Sequence, residues 1–402
     1  MSATAARVME RADALAACSE RPGEITRRYG TPALVAGRDL LEGWMRAAGM
    51  TTRVDRVGNL IGTLAGDPPR PGIVIGSHFD TVIDAGRYDG TLGILLGIAC
   101  AEELRGADRA HDLTVVAFCD EEGVRFPTAY FGSRAFLATG PEADPALTDG
   151  EGATLASGLA VAGNAAAPAG PGLPDGVVGY LEPHIEQGPV LAASGHPLGI
   201  VSAITGGAKL GVTLTATAGH AGTVPMRLRH DPLSAAAEIV LAAERLARAD
   251  GEAVATVGEL SVSPGAANVI PGRVTLSIDA RHPDDARKAQ LVAEVRTAVA
   301  EVAARRGVTA QIAVVHDERS VACDPDLAGQ LASAARSIGL DPPVLPSGAG
   351  HDAAVMAGAV PVAMLFVRCQ DGISHNPAES VEPDDVAAAI AVLVRVVAGG
   401  QG

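Results

Sequence analysis

The stretch GSHFDTVIDAGRYDG (residues 76–90) gathers one histidine, three aspartates and three glycines between two apolar segments, GIVI before it (72–75) and TLGILLGIACAEEL after it (91–104). The first has the length and the β-branched content of a buried strand, the second the length of a helix. Strand, polar loop and helix in succession form the repeating unit of an α/β sheet, in which chemistry collects where strands run out into loops. The glycines let the backbone turn tightly after the strand. His78 and Asp80, two apart, suit an imidazole ligand beside the carboxylate that holds its other nitrogen, and Asp89 falls at the mouth of the next helix. Single aspartates also cap turns and helix starts, so this stretch alone fits either reading.

The alternation extends outward from it. From residue 36 to about 140, helix-like GRDLLEGWMRAAG (37–49) and TLGILLGIACAEEL alternate with β-rich GNLIGTLAG (58–66), GIVIGS and LTVVAFC (113–119). Residues 141–176 are rich in Ala, Gly and Pro without clear periodicity and read as a surface excursion carrying little chemistry. The rhythm changes near residue 208 to the order βαββαβ: KLGVTLTATA, DPLSAAAEIVLAAERLARA, AVATVGELSV, GRVTLSIDARH, DDARKAQLVAEVRTAVAEVAARRG and TAQIAVVHDE. Such a block is a small α+β sandwich, complete in roughly 110 residues. The expected fold is α/β with a central sheet layered by helices. The chain is interrupted by this ferredoxin-like βαββαβ block: 1–208 and 322–402 form one domain, 209–321 an inserted one. There is no internal repeat.

Composition bounds the rest. A chain of 402 residues, 48% apolar and 19% charged, has ample core material for two domains, built mainly from aliphatic residues because aromatics are 3%. A formal charge of −16, with no stripe of Lys and Arg, argues against nucleic acid as a partner. Cys18, Cys100, Cys119, Cys323 and Cys369 are widely spaced and form no CxxC, which suits free thiols in a reducing compartment. The N-terminal stretch has no basic region followed by an apolar core, and Val8, Ala12 and Leu15 mark an amphipathic helix. The longest apolar run, GTLGILLGIACA (90–101), falls short of the roughly 20 residues that span a bilayer. A cytoplasmic protein without membrane partners is expected.

Three further clusters carry potential chemistry. Asp120, Glu121 and Glu122 follow LTVVAFC directly; consecutive carboxylates at a strand end repel one another unless a cation compensates, although a solvated acidic loop is the commoner fate of a charge run. LEPHIEQGPVL (181–191) holds His184, Glu186 and Gln187, and GISHNPAES (372–380) holds His375, Asn376 and Glu379. Together, His78, Asp89, Glu122, His184 and His375 supply donors of the types Zn²⁺ or Mn²⁺ prefer, enough for two ions if one carboxylate bridges.

In order along nearly the whole chain, GSHFDTVIDAGRYDG, DEEGVRFP with FGSRAF, HIEQGPVL, GHAGTVPMRLRHDPL, NVIPGRVTLSIDARHPDD, SGAGHD and GISHNPAESV resemble the amidase/hydantoinase/carbamoylase branch of the dinuclear, aminoacylase-like metallopeptidase superfamily. Within that branch VIDAGRYDG, GHAGTVPM and MLFVRCQDGISHNPAESV are most similar to the bacterial allantoate amidohydrolase group, with N-carbamoyl-L-amino-acid hydrolases and β-ureidopropionases as neighbours. The resemblance implies a metal-dependent amidohydrolase of ureido substrates, active as a homodimer through the inserted domain. It implies two divalent ions per subunit, Zn²⁺ or Mn²⁺, with Co²⁺ or Ni²⁺ also suited. His78, Asp89 and His184 would hold one ion and Asp89, Glu122 and His375 the other, with Asp89 bridging. Glu121 would act as general base, Asp80 would orient His78, and His220 would donate to the oxyanion. Gln187, Asn268, Arg281 and His351 would bind the substrate, Arg281 gripping its carboxylate. The superfamily's peptidases usually carry a carboxylate at the position of His184. Lys209 stands where relatives often have arginine, and Pro183 where an apolar residue is common before His184.

Overall fold

The computed structural model describes residues 2–139, 143–168 and 172–400. The chain divides into two compact units, one of Met1–Ser202, Cys323–Leu345 and Ala349–Gly402, the other of Ala203–Ala322 with Pro346–Gly348.

In the first unit a mixed sheet runs in the order Thr51–Val54, Leu60–Leu64, Asp112–Phe118, Gly72–His78, Val177–Ile185, Val362–Val367, Leu198–Ile204. The middle four strands are parallel, and the flanking pairs are antiparallel. Parallel strands are covered on both faces and therefore read as unbroken apolar runs; Val362–Val367 is buried at every position. The helix Thr91–Leu104 is apolar nearly all round because it is enclosed, packing on Gly72–His78, on the amphipathic helix Ala3–Ala16 and on the closing helix Pro383–Ala398. Val8, Ala12 and Leu15 are the buried stripe of Ala3–Ala16, as their spacing predicts.

Pro183 sits inside the central strand Val177–Ile185, where a missing N–H normally disrupts pairing. The ladder toward Gly72–His78 ends at Leu181, so on that side no bond is asked of Pro183, and the path into His184 is regular. The excursion, which shows no clear periodicity in sequence, contains the helix Leu155–Ala162, with Thr154 as its cap, and a bridge between Thr148 and Thr154. Residues 141, 142 and 169–171 of that stretch lie outside the described residues.

In the second unit the strand order is Leu260–Ser263, Arg273–His282, Gly206–Thr215, Thr309–Asp317, all antiparallel, with Val254–Thr256 also paired to Arg273–His282. The expected single strand AVATVGELSV is thus two short ones, parted at Val257–Glu259, where Ser277 and Glu259 exchange hydrogen bonds at 3.1 Å. Leu210, Val212, Leu214, Val274, Leu276 and Ile278 face the helices Pro232–Asp250 and Asp285–Arg306. The alternate positions, among them Lys209, Asp279 and Arg281, fall on the other face by the two-residue period of a strand. A ribbon of Gly219–His220 with Val269–Ile270 completes the unit.

The five cysteines are free thiols. Among the described residues no helix is long and apolar enough to cross a membrane.

Candidate metal centre

The four parallel strands end on one edge of the sheet, and each delivers part of a polar cluster. His78 closes Gly72–His78, in register with Phe118, the last residue before Cys119, Asp120, Glu121 and Glu122. His184 lies opposite Phe366 in the next pair, and Ser374 and His375 follow Val362–Val367 after a single 3₁₀ turn. Asp89 comes from the loop ahead of Thr91–Leu104. Its neighbour Gly90 has φ 65°, and a Cβ there would lie 2.4 Å from His78 Nε2, so only glycine lets the loop pass that close to the imidazole.

Asp89 faces two ways. Its Oδ1 lies 3.4 Å from His184 Nε2 and 3.9 Å from His78 Nε2, while its Oδ2 lies 3.0 Å from His375 Nε2. His375 Nε2 is also 3.5 Å from Glu122 Oε1. The other ring nitrogens are already engaged: His78 Nδ1 is 3.1 Å from Asp80 O, and His184 Nδ1 is 2.9 Å from Ile185 O. Donation from Nδ1 to those carbonyls turns the Nε2 atoms toward Asp89, where His184 Nε2 also accepts the Gly90 N–H at 3.2 Å, the ring orientation a metal ligand requires. Three donor groups result, each with ligand atoms within 4.8 Å of one another: His78, Asp89 and His184; Asp89, Glu122 and His375; and His78, Glu121 and Glu122.

The electrostatics call for positive charge. Burial pushes Glu121 well above the usual carboxylate range, with His78 opposing and Glu122 adding to the rise. Burial likewise raises Glu122 to about 7. Burial lowers His184 to about 4, keeping it neutral. Asp89, despite its burial, is held well below the usual range, chiefly by the hydrogen bond from His375. A divalent cation would allow these carboxylates to ionise together, so the donor set fits metal in both composition and charge.

The remaining expected residues fall in distinct places. Gln187, with φ 56°, donates Nε2–H to Asp89 Oδ1 at 3.1 Å. His351 is 1% exposed and packs edge-on against the His184 ring, centroids 4.6 Å apart. Glu186 accepts the N–H groups of Val190 and Leu191 and caps the helix Val190–Ser194. Asp120 turns inward to the Thr128 hydroxyl. His220, Asn268 and Arg281 belong to the second unit. His220 and Asn268 are both exposed and lie side by side, with Ala221 N–H bonded to Asn268 O. Arg281 grips the Asp279 carboxylate at 3.0 and 2.9 Å.

Two buried carboxylates have partners that local patterns do not reveal. Glu182, inside the apolar run GYLEPHI, accepts from Tyr180 Oη and Ala353 N–H; its place in a buried strand was the available signal. Glu379 bonds residues 290 and 291 positions away, and no local pattern announces that.

Fold and donor set define a class: an α/β protein with groups that could hold metal at the ends of its parallel strands. The chain belongs to the family described as Peptidase family M20/M25/M40, whose model matches residues 74–399. It is 40% identical over 412 residues to the allantoate deiminase of Arabidopsis thaliana, covering 92% of this chain and 78% of that one. It is 38% identical over 397 residues to the N-carbamoyl-L-amino acid amidohydrolase of Geobacillus stearothermophilus, covering 97% of each. The crystal structure of an amidase of the hydantoinase/carbamoylase family from Burkholderia multivorans superposes with a TM-score of 0.91 at 35% identity, covering 98% of this chain and 97% of that one. The protein is an amidohydrolase acting on C–N bonds.

Proposed function

We propose that this chain hydrolyses the ureido group of allantoate, releasing one carbamoyl group as ammonia and carbon dioxide, in the cytoplasm and as a homodimer. The observation that carries the hydrolytic reading is the two-sided placement of Asp89, with Glu121 grouped with His78 and Glu122. The names of the allantoate deiminases at 39–40% identity support the substrate.

In this reading His78, Asp89 and His184 hold one divalent ion and Asp89, Glu122 and His375 the other. Bound ions of this kind acidify water and polarise a carbonyl oxygen. Glu121 takes the proton of the attacking water: burial raises its proton affinity, as a general base at neutral pH needs, and as the conjugate acid it returns the proton to the leaving nitrogen. Asp80 keeps His78 in its Nδ1–H tautomer. His220 is assigned as donor to the oxyanion, and Asn268 and Arg281 as the grip on the substrate carboxylate, where a guanidinium offers two parallel hydrogen bonds. Gln187 and His351 are assigned to the substrate site.

The test is ammonia release by the metal-loaded enzyme from allantoate and from a panel of N-carbamoyl-L-amino acids. A tenfold preference in kcat/KM for allantoate is expected; the reverse preference would make the chain a carbamoyl-amino-acid hydrolase.

A further inference from the structure

Glu379 is 1% exposed and reaches two loops at once. Its Oε1 accepts the backbone N–H groups of Tyr88 at 2.7 Å and Asp89 at 3.1 Å, and its Oε2 accepts the Ser374 hydroxyl at 3.2 Å. Ser374 Oγ in turn accepts from Gln187 Nε2 at 3.3 Å, and the same Nε2 donates to Asp89 Oδ1 at 3.1 Å. The contacts close a ring: Asp89 main chain, Glu379, Ser374, Gln187, Asp89 side chain.

Two features show that this place is shaped for a carboxylate. Just ahead of the helix Thr91–Leu104, the successive N–H groups of Tyr88 and Asp89 converge on one oxygen of Glu379, a pair of donors that suits an anionic acceptor. At Gly86 a Cβ would come within 2.2 Å of the Glu379 carboxyl, so the loop approaches it more closely than any other residue type would allow.

We infer that Glu379 is a positioning residue: it locks the loop of Asp89 to the loop of His375 and so fixes the distance between two donors of one metal group. The inference rests on the proposed ligand set and goes beyond it, since Glu379 itself touches neither substrate nor metal. One end of the ring sets the backbone of Asp89, the other the residue before His375, and their side chains stand 3.0 Å apart. If the ring opens, the donors of this group drift apart while His78 and His184, carried on their own strands, stay in place.

The experiment is chelator competition with Zn²⁺ on the full-length protein, measuring stoichiometry and affinity for each of two ions, alongside thermal unfolding of the metal-free protein. Glu379→Ala should weaken the ion of Asp89, Glu122 and His375 at least tenfold, the range seen when groups that orient ligands are lost, and weaken the other, which shares Asp89 but keeps His78 and His184 on their strands, by less. Glu379→Gln keeps an acceptor for the two N–H groups and should restore affinity to within about threefold of wild type, because its NH₂ can donate to Ser374 Oγ in place of accepting the hydroxyl. Gly86→Ala attacks the contact from the other side. It should mimic Glu379→Ala, because a Cβ at residue 86 displaces the Glu379 side chain from the two N–H groups. Wild-type affinity for both ions in Glu379→Ala would overturn the inference. His375→Ala tests the ligand set separately: if it retains two tight ions, the reading of the metal groups fails, whatever Glu379 does.

Discussion

The carboxylate of Asp80 accepts the backbone N–H of Glu121 at 3.0 Å through Oδ1, and that of Glu122 at 3.2 Å through Oδ2. The same residue presents its carbonyl oxygen to His78 Nδ1 at 3.1 Å. One aspartate therefore sets three groups at the ends of two strands: an imidazole donor, the proposed base and a carboxylate donor. In Asp80→Asn the amide NH₂ faces a backbone N–H, and two donors oppose each other. The expected result is a metal affinity roughly 10–100-fold weaker and a lower kcat, measured by chelator competition and steady-state kinetics. Unchanged affinity would confine Asp80 to a structural role.

Glu121→Gln preserves shape but removes the ability to take a proton. Both ions should remain after gel filtration while kcat falls on the order of 10²–10⁴-fold, the usual contribution of a positioned base. Glu122→Ala should behave oppositely and lose occupancy at one site. If instead Glu121→Gln loses metal and Glu122→Ala keeps it, the two roles are exchanged.

The second unit carries its own pH response. Burial alone would raise the Asp285 carboxyl, but the Ser320 N–H, Arg319 and Lys288 hold it at about 2. A carboxyl more acidic folded than unfolded adds stability above its ordinary range, near ~4, and loses that contribution as pH falls toward the folded value. Asp285→Asn should therefore cost on the order of 1 kcal/mol at pH 7, discounted for a side chain one-third in solvent, and the gap to wild type should narrow by pH 3.5. Urea unfolding at the two pH values measures it. A gap that stays constant would show that the charge of Asp285 is not what stabilises the fold.

The cluster was legible because its members end apolar runs. His78 after GIVIGS, Glu121 after LTVVAFC and His375 after VPVAMLFV all announce strand ends, and parallel strands bring such ends together. What stayed hidden depends on pairing across distance. The break that divides AVATVGELSV shows only where its residues meet Arg273–His282. Val344–Ser347 and Asp352–Met356 are too short for periodicity to register. The eight residues of Leu155–Ala162, rich in Ala and Gly, resemble the loop around them. Glu379 is part of a recognised motif, yet its partners come from another loop, and only the fold brings them within 3 Å or so of its carboxylate.

Substrate reading is assigned to the second unit, and Arg281 carries the sharpest test. Its Nε and Nη2 donate to Asp279 at 3.0 and 2.9 Å, and its Nη1 donates to Gly348 O at 2.8 Å, so the guanidinium plane is fixed by its own unit. A planar fork held in this way loses little entropy on meeting a carboxylate. Arg281→Lys keeps the charge but replaces the fork with a single ammonium that cannot satisfy Asp279 and Gly348 in the same geometry. Binding of allantoate should weaken by roughly 1–3 kcal/mol, as for a charged hydrogen-bonded contact, with metal content unchanged. The comparison is steady-state kinetics of wild type and Arg281→Lys on allantoate and on a ureido compound of similar size without the carboxylate. The loss should fall on allantoate alone. An equal fractional loss on both compounds would mean that Arg281 does not read the carboxylate, and the choice of allantoate would then rest on the named relatives only.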